Sequence, residues 1–407
     1  MGNANLRAVA ESLYAAEQLL AFHTSIATYP GNLWDRLAGL PGLGDFRRRH
    51  FAGPLRKVTH QYPWKELGRM LAGRGNLSRL TAHETGAFSV DSVYHALDEK
   101  VARRLEDHPG IRAVYAYEDG ALATFERAKE LGLKCIYDLP IAYWETRQRL
   151  LGEEAERWPV WAQTLGGAIK DSPEKLARKT RELELADVVV GPGSFVMDSL
   201  PDWAADKMRI ESPFGSPAGG LRSSLPRPEA AGRPLRVLFV GSMGQRKGLA
   251  DLFAALRLVG SRNVELVVLG SELAPTTFYR DQLADFRYEP TRSHAGVLEL
   301  MASCDVFCLP SLVEGRALVM QEAMSQGLPV IITPNTGGAD LVVPGETGFL
   351  VPIRSPEAIA EAIDWFASHR GELPRMARAA RQHAATYTWR AYGDRVSAGV
   401  AAYLGAK

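Results

Sequence analysis

Glu314 and Glu322 stand eight positions apart, the first in a loop and the second inside a predicted helix. Glu322 could accept hydrogen bonds from a diol, and Glu314 could meet a second polar group. Between them, the helix start would leave the backbone amides of Ala317 and Leu318 free, and such amides attract phosphate. This predicts a ligand with hydroxyl groups on both sides of its phosphates, the layout of a nucleotide sugar. The alternative is an ordinary amphipathic helix with two glutamates placed by chance.

A basic pair lies in another predicted strand-to-helix turn. The apolar strand 235–241 runs into a turn with Ser242, Arg246 and Lys247, and a helix over 249–258 follows. Fixed positive charge in a glycine-bearing turn can hold a diphosphate. Lys247 is followed by glycine rather than by serine or threonine, so the Walker pattern is not met and an ATP-hydrolysing site is not expected.

Both loops need strands and helices to position them. The run 305–310 is largely apolar and ends at a proline, which predicts a strand. Residues 316–326 have apolar side chains at helical spacing and stop at Gly327, a typical residue after a helix. Ligands of open α/β sheets bind at the carboxyl ends of the strands, which is where both loops would lie.

Strands alternate with helices along the chain, which predicts parallel sheets. A segment rich in proline, glycine and serine, residues 214–234, predicts a linker. We therefore predict an α/β protein with two Rossmann-like parallel-sheet domains that face each other across a cleft. The domains cover 1–213 and 235–387, and a last helix over 388–407 crosses back to the first domain.

Two polar segments in the N-terminal half are candidate sites. Gly2 and Asn3 form a turn that enters a helix directly and could bind an anion. Such turns normally follow a strand, so we expect that the chain starts late or that its sheet lacks this strand. Glu118 and Asp119 follow the predicted strand 113–117 and could orient an acceptor hydroxyl or act as a base. A helix-capping role for Asp119 is an equal alternative.

Residues 46–65 combine basic and aromatic side chains, within a stretch, 41–70, that holds seven Lys and Arg against few acids. This composition fits a surface that contacts anionic lipid headgroups or a phosphate-bearing acceptor. A solvated loop with arginines lying along its surface is the alternative.

The bulk composition narrows the class of protein. The 407 residues are 46% hydrophobic, enough for the cores of two or three domains, and the net charge of +1 gives no reason to expect nucleic acid as a partner. Cys135, Cys304 and Cys308 lack metal-ligand or disulfide spacing, which predicts buried thiols in a reducing cytosol. Long uncharged apolar runs and a signal pattern are missing from the sequence. We expect a cytoplasmic protein with possible peripheral membrane contact through residues 46–65.

Several motifs together resemble the retaining glycosyltransferases of family 4, which have the two-domain GT-B fold. The resemblance is close over 236–370 and faint over the first 210 residues. The matching motifs are Phe239-Val240-Gly241 leading to Lys247-Gly248, Pro310-Ser311 with Glu314-Gly315, the pair Glu314 and Glu322, Ala323-Met324 with Gly327-Leu328-Pro329-Val330, Gly337-Gly338, and Gly345 with Gly348-Phe349-Leu350-Val351.

The resemblance implies which residues bind the donor diphosphate. Lys247 would hold it beside Gly241. Ser242 stands where the family usually has an arginine, so Arg246 would supply that charge from a different angle. The amides of Ala317 and Leu318 would receive the phosphate.

The resemblance also implies roles around the donor sugar. Glu314 would contact the sugar, and Glu322 would hold the ribose. Gly2 and Asn3 match the glycine turn at the front of the family's first domain. The histidine that many members carry at an N-domain strand end is replaced here by the segment 117–119, which leaves the base unassigned.

The function implied is a retaining hexosyl transfer from a nucleotide-diphosphate sugar to a hydroxyl acceptor, which could be a sugar, a glycolipid or a small molecule in glycan or glycolipid synthesis. No cofactor is expected. No metal is expected either, because fixed cations would neutralise the diphosphate and the sequence has no Asp-x-Asp triplet. The alternatives are a sugar-nucleotide epimerase or glycan phosphorylase on the same fold, and a nucleotide-sugar-binding protein without transfer activity.

Overall fold

The computed structural model describes residues 3–38, 44–166, 171–217, 232–260 and 263–405. Two bodies of parallel strands, each covered by helices, form the protein. Their cores are built from strands that are buried along their whole length, such as 188–191 and 306–309. Continuous apolar runs of this kind fit parallel sheets that are covered on both faces.

The N-terminal domain holds a four-stranded parallel sheet in the order β3-β4-β5-β6 and a separate parallel pair, β1 and β2. Neither β2 nor β6 was expected from the sequence. Both are short and carry polar residues, so their pairing depends on neighbours that are distant in the chain. The strands are β1 (Phe22–Thr24), β2 (Thr59–Gln61), β3 (Ala113–Tyr117), β4 (Lys134–Asp138), β5 (Val188–Gly191) and β6 (Met208–Glu211).

The C-terminal domain is a six-stranded parallel sheet in the order β12-β11-β10-β7-β8-β9. The chain moves outward from β7 through β8 and β9 and then returns to the other side of β7. The loops after β7 and β10 therefore leave neighbouring strands at the point where the winding reverses, the usual ligand site of such sheets. The strands are β7 (Leu235–Val240), β8 (Val264–Leu269), β9 (Arg287–Glu289), β10 (Val306–Leu309), β11 (Val330–Ile332) and β12 (Gly348–Leu350).

Fifteen α-helices of the described residues cover and connect these sheets. They are α1 (Ala4–Ala15), α2 (Leu33–Ala38), α3 (Trp64–Arg74), α4 (Val90–Ala102), α5 (Leu122–Glu130), α6 (Trp144–Arg157), α7 (Pro173–Leu185), α8 (Ser194–Asp198), α9 (Leu249–Val259), α10 (Thr276–Gln282), α11 (His294–Ala302), α12 (Leu318–Ser325), α13 (Pro356–Ser368), α14 (Leu373–Ala385) and α15 (Trp389–Gly405).

Two segments join the domains. The last helix, α15, packs on α1, where a side chain on Gly393 would come within 2.4 Å of the carbonyl oxygen of Ala8. Ser12 Oγ donates a hydrogen bond of 2.9 Å to Asp394 Oδ1 across the same contact. Trp161, which follows α6, packs into the core of the C-terminal domain, with its ring centroid 5.7 Å from that of Phe253. The N-terminal half thus contributes a large apolar side chain to the other domain.

All three cysteines are free and buried, as the sequence predicted. Burial raises the pKa of Cys135 to about 12 and raises that of Cys308 as well, so both remain protonated at neutral pH. Within the described residues, every helix is too short or too polar to cross a lipid bilayer.

Candidate functional site

The basic pair and the first glutamate meet where β7 and β10 lie side by side. Lys247 Nζ lies 2.6 Å from Glu314 Oε1, and Arg246 Nη1 lies 2.8 Å from the same oxygen. Arg246 also donates to the carbonyl oxygen of Val313 at 2.9 Å. Sequence motifs that lie 67 residues apart therefore form one charged cluster. Its role as a diphosphate site stays a prediction.

Glycines make this approach possible. The side-chain stem of Lys247 crosses Gly241, where a Cβ atom would lie 2.6 Å from Lys247 Cδ. Gly248 has a φ of +73° and faces the carbonyl of Pro310. A Cβ atom on Gly248 would lie only 2.0 Å from the Pro310 carbonyl oxygen. A larger residue at either position would be strained or would push the two loops apart.

The cluster is largely shielded from solvent, with side-chain exposures of 13% for Lys247 and 12% for Glu314. Burial lowers the pKa of Lys247, and the adjacent Arg246 adds to this effect, while the Glu314 carboxylate opposes it. Glu314 is thus the counterion that keeps two cations at the carboxyl edge of the sheet. A ligand with more negative charge can compete for the same pair.

The Glu314 loop is held by the turn that follows β11. The amide of Glu314 donates to the carbonyl of Asn335 at 3.0 Å, and Asn335 Nδ2 donates to the carbonyl of Leu312 at 2.8 Å. The amide of Ala317 donates to the carbonyl of Thr336 at 3.1 Å. The expectation that the Ala317 amide is free for phosphate is therefore wrong. The helix begins at Leu318 rather than at 316, because the preceding residues pair with this turn.

Arg316, to which the sequence analysis gave no role, fixes the loop in place. Its guanidinium is fully buried and donates to Asp340 Oδ1 at 2.7 Å, to Gly337 O at 2.8 Å and to Gln321 Oε1 at 2.9 Å. The signal for this role in the sequence was a single arginine two positions after Glu314. A buried arginine needs several hydrogen-bond acceptors, so it often holds neighbouring segments together.

We expect Asp340→Ala to destabilise the protein by about 3 kcal/mol, more than Arg316→Met does, because it leaves the buried Arg316 cation without its counterion. Asp340 is 42% exposed and can be hydrated when Arg316 is absent. Burial acts to raise the pKa of Asp340, but Arg316 outweighs it and holds that pKa below its usual value. The stabilisation is therefore present above about pH 4 and is lost as the pH falls further. Urea unfolding of both variants at several pH values tests this order.

Glu322 lies one turn inside α12 and contacts a residue that the sequence analysis missed. His294 Nε2 lies 3.1 Å from Glu322 Oε1, and His294 begins α11. The glutamate is partly exposed, so its carboxylate remains accessible to a diol. The structure does not join Glu322 directly to Glu314; the two carboxylates occupy different parts of the same loop-and-helix segment.

The two domains touch at the Glu314 loop. A Cβ atom on Gly315 would lie 1.7 Å from the carbonyl oxygen of Pro140, which follows β4. A Cβ atom on Gly193, which follows β5, would lie 3.0 Å from the carbonyl oxygen of Gly337. The carboxyl ends of both sheets therefore face each other, with glycines at the points of backbone contact.

Glu118 and Asp119 lie at this edge of the N-terminal sheet, but their ionic partners are in their own domain. Lys179 Nζ lies 3.6 Å from Glu118 Oε1 and 3.5 Å from Asp119 Oδ2. Burial raises the pKa of Glu118. Glu182, not Asp119, caps α5: its carboxylate accepts hydrogen bonds from the amides of Asp119, Ala121 and Leu122. The capping alternative for Asp119 is therefore wrong.

Asp138, at the end of β4, is a candidate that the sequence analysis missed. It accepts a hydrogen bond of 2.7 Å from Tyr115 Oη, and burial raises its pKa to about 7. A carboxyl with such a pKa near the cleft can exchange a proton at neutral pH. Its signal in the sequence was a charged residue closing an apolar strand.

Gly2 lies outside the described residues. Asn3 stands at the N-terminus of α1, in extended conformation and without a side-chain capping bond. Two residues on, Asn5 Nδ2 donates to Tyr117 Oη at 3.0 Å, which places the start of α1 beside the end of β3. The donor-binding role of Gly2 and Asn3 stays a prediction.

The basic and aromatic side chains of residues 46–65 are divided between the interior and the surface. Phe46 and Phe51 are buried, and Arg49 is buried in an ion pair with Glu66. Arg47, Arg56 and Lys57 are exposed, as is Trp64, with 81% of its surface accessible. Membrane contact through this segment stays a prediction.

Residues 224–383, which cover most of the C-terminal domain, match the family described as glycosyl transferases group 1. The chain is 29% identical over 254 residues to a D-inositol 3-phosphate glycosyltransferase of Corynebacterium glutamicum, covering 56% of this chain and 60% of that relative. It is 31% identical over 132 residues to the capsular polysaccharide biosynthesis glycosyltransferase CapM of Staphylococcus aureus, covering 31% of this chain and 35% of the relative. The chain thus spans about 60% of the length of the first relative and less of the second.

Solved structures match over nearly the whole chain. Sucrose-phosphate synthase of Thermosynechococcus elongatus aligns with a TM-score of 0.60 at 19% identity, covering 99% of this chain and 93% of that one. The Anabaena protein Alr3699/HepE, solved in complex with UDP, aligns with a TM-score of 0.58 at 15% identity, covering 94% of this chain and 99% of that one. At these identities the likeness is one of fold. The fold is GT-B, as predicted, and the match to the glycosyl transferases group 1 family is confined to residues 224–383.

Proposed function

We propose that this protein transfers a sugar from a nucleotide-diphosphate sugar to a hydroxyl acceptor. The observation that carries the proposal is the convergence of Lys247 and Arg246 on Glu314 at the winding reversal between β7 and β10. Two cations and a carboxylate in a shielded cleft can bind a diphosphate on one side and a sugar hydroxyl on the other.

In this proposal the donor lies along the carboxyl edge of the C-terminal sheet. Lys247 and Arg246 hold the diphosphate and stabilise the charge that grows on it as the bond to the sugar breaks. Glu314 exchanges its ion pair for the sugar hydroxyls and orients the ring as it takes on oxocarbenium character. Glu322 accepts hydrogen bonds from the ribose. Most of the catalytic effect then comes from positioning and preorganised charge.

The acceptor would lie on the N-terminal side of the cleft, near the ends of β3 and β4. Glu118 and Asp119 follow β3, and Asp138 closes β4. We propose retention of configuration and independence of metal ions from the resemblance and from the paired cations. Relatives named for inositol phosphate and capsular polysaccharide glycosyl transfer support a sugar or sugar-phosphate acceptor.

A thermal-shift screen against UDP, GDP and ADP sugars tests the donor site, because a ligand that binds only the folded state raises the melting temperature. The UDP complex of a protein with the same fold makes UDP sugars the first choice. The best donor is then incubated with sugar, inositol phosphate and glycolipid acceptors, with and without EDTA, and the anomeric configuration of the product is determined by NMR. Donor binding without transfer to any acceptor would favour a binding protein. Donor turnover without an acceptor would favour an epimerase. Dependence of the reaction on inorganic phosphate would favour a phosphorylase.

Glu322→Ala is expected to weaken nucleotide binding roughly 10- to 100-fold, because hydrogen bonds to a charged group contribute about 1.5–3 kcal/mol. Titration calorimetry with the nucleoside diphosphate measures the change. Glu299→Ala, which removes an exposed glutamate from the neighbouring helix α11, is the matched control and should bind as the parent does. Equal affinity in the two variants would remove Glu322 from the nucleotide site.

A further inference from the structure

Three histidines from separate segments of the N-terminal domain come together away from the Lys247 cluster. His23 lies in β1, His60 lies opposite it in β2, and His108 lies just before β3. One ring nitrogen from each histidine can be chosen so that all three lie within 4.8 Å of one another. Neither the sequence motifs nor the proposed transfer reaction uses these side chains.

The fold imposes this grouping. Because β1 and β2 are parallel and His23 pairs with His60 in register, both side chains project from the same face of the two strands. Their ring centroids are 4.8 Å apart, and the ring of His108 lies 5.8 Å from His23 and 5.6 Å from His60, inclined to both. All three side chains are half-buried, so the group remains open to small solutes.

The surroundings favour neutral imidazoles, the form that coordinates metal ions. Burial lowers the pKa of His23 to about 4, with smaller effects from His60, His108 and Arg104. Burial also lowers the pKa of His60. His23 Nδ1 lies 3.2 Å from Tyr62 Oη, a contact that would fix one ring nitrogen and leave the other for a ligand. Arg104 is the nearby cation that would oppose a bound metal ion.

We propose that His23, His60 and His108 bind a divalent transition-metal ion of the Zn²⁺ type, with a fourth position open to water. Imidazole nitrogens suit such ions, and three histidines with one open position is a known Zn²⁺ arrangement. Zn–N bonds of about 2.0–2.1 Å place ligand nitrogens roughly 3.4 Å apart in a tetrahedron. The rings must therefore turn and the nitrogens must close from within 4.8 Å to this spacing, by up to about 1.4 Å, which the broad χ2 torsion of histidine allows.

The bound ion would act as a cross-link. The β1 and β2 pair is separate from the four-stranded sheet, and a two-stranded sheet alone is marginally stable. A metal shared with His108 would tie this pair to the segment that enters β3. Binding would then stabilise the N-terminal domain through the coupling between metal affinity and folding.

A second group of potential ligands, His83, Glu84 and Asp171, fits a metal less well. Lys175 and Lys179 already lie 3.5 and 3.2 Å from the carboxylate of Asp171. These ammonium groups occupy the place of a cation. This group therefore serves as the competing site in the experiment.

The full chain is treated with a chelator, and the chelator is then removed. The metal-free protein is titrated with Zn²⁺ by calorimetry and with Co²⁺ by absorption spectroscopy. We expect one equivalent to bind, Co²⁺ bands typical of nitrogen ligands at low coordination number, and a higher melting temperature with Zn²⁺. Loss of a direct ligand in His60→Gln or His108→Gln should weaken binding by more than the roughly 10- to 100-fold that an outer-shell partner contributes. His50→Gln, which changes an exposed histidine of the same domain, is the matched control.

Without metal, each variant must have a melting temperature close to that of the metal-free parent protein, which shows that it is folded. His108 lies outside the strands, so His108→Gln still provides a test if His60→Gln fails to fold. The proposal is overturned if one equivalent of Zn²⁺ fails to bind at micromolar protein. It is also overturned if binding is unchanged in His108→Gln, or if His83→Gln rather than His108→Gln abolishes it. None of these measurements depends on sugar transfer, so the metal site and the proposed function are tested independently.

Discussion

Lys247→Ala is expected to lower the turnover of sugar transfer about 100- to 1,000-fold, the usual cost of removing one preorganised charge from a transition state. The effect on donor affinity should be smaller, because the ammonium group interacts most strongly with the diphosphate when the bond to the sugar is breaking. In the structure Lys247 is largely shielded from solvent, and Arg246 alone would remain beside Glu314. Steady-state kcat and KM for the donor identified by the screen separate the two effects.

Lys100→Ala, which removes an exposed lysine from the end of α4, is the control for the loss of one positive charge. It should leave both constants unchanged. If Lys247→Ala raises KM and leaves kcat intact, Lys247 stabilises the bound donor and the transition state equally. It then has no specific effect on the transition state. If it changes neither constant, the donor diphosphate lies elsewhere.

Glu314→Gln is expected to lower sugar transfer without lowering the affinity for the nucleoside diphosphate. The substitution keeps the shape of the side chain and removes the charge that pairs with Lys247 at 2.6 Å and with Arg246 at 2.8 Å. A free nucleoside diphosphate no longer has to compete with this carboxylate, so its affinity should stay the same or increase. Sugar transfer should fall about 100-fold or more, because the group that orients the donor sugar is weakened. Calorimetry with the diphosphate and initial-rate assays give the two quantities.

Glu346→Gln removes the charge of an exposed glutamate in the same domain and serves as the control. A parallel loss of diphosphate affinity and transfer in Glu314→Gln would mean that the carboxylate supports the fold of the loop. In that case the melting temperature should fall as well. An unchanged transfer rate would remove Glu314 from the donor site.

The domain contact bears on both experiments. Gly315 meets the carbonyl of Pro140 at a distance that excludes a side chain, and a Cβ atom on Gly193 would lie 3.0 Å from the carbonyl oxygen of Gly337, a tight contact. The loop with Glu314 is therefore part of the interface between the domains as well as part of the candidate site. A donor that rearranges this loop would also alter how the two sheets face each other.

Much of the C-terminal domain could be predicted from the sequence because its signals are local. Apolar runs gave strands close to β7, β8 and β10, and Gly241, Gly248 and Gly327 marked turns that only glycine fits well. The spacing of Glu314 and Glu322 and the basic pair before α9 identified the candidate site. In the N-terminal domain the signal was weaker, because short polar strands such as β2 and β6 are held by partners far along the chain.

The sequence by itself indicated most strands of the C-terminal domain, which loops carry charge and which residue types could bind a diphosphate. Only the tertiary structure decided that β10 lies beside β7, which makes Glu314 the counterion of Lys247. It also decided that the carbonyl of Thr336 accepts the hydrogen bond of the Ala317 amide, that Arg316 is buried against Asp340, and that three histidines from separate segments come together. Local patterns record the conformation of each segment, whereas these contacts depend on strand order and domain packing, which arise from interactions between residues far apart in the chain.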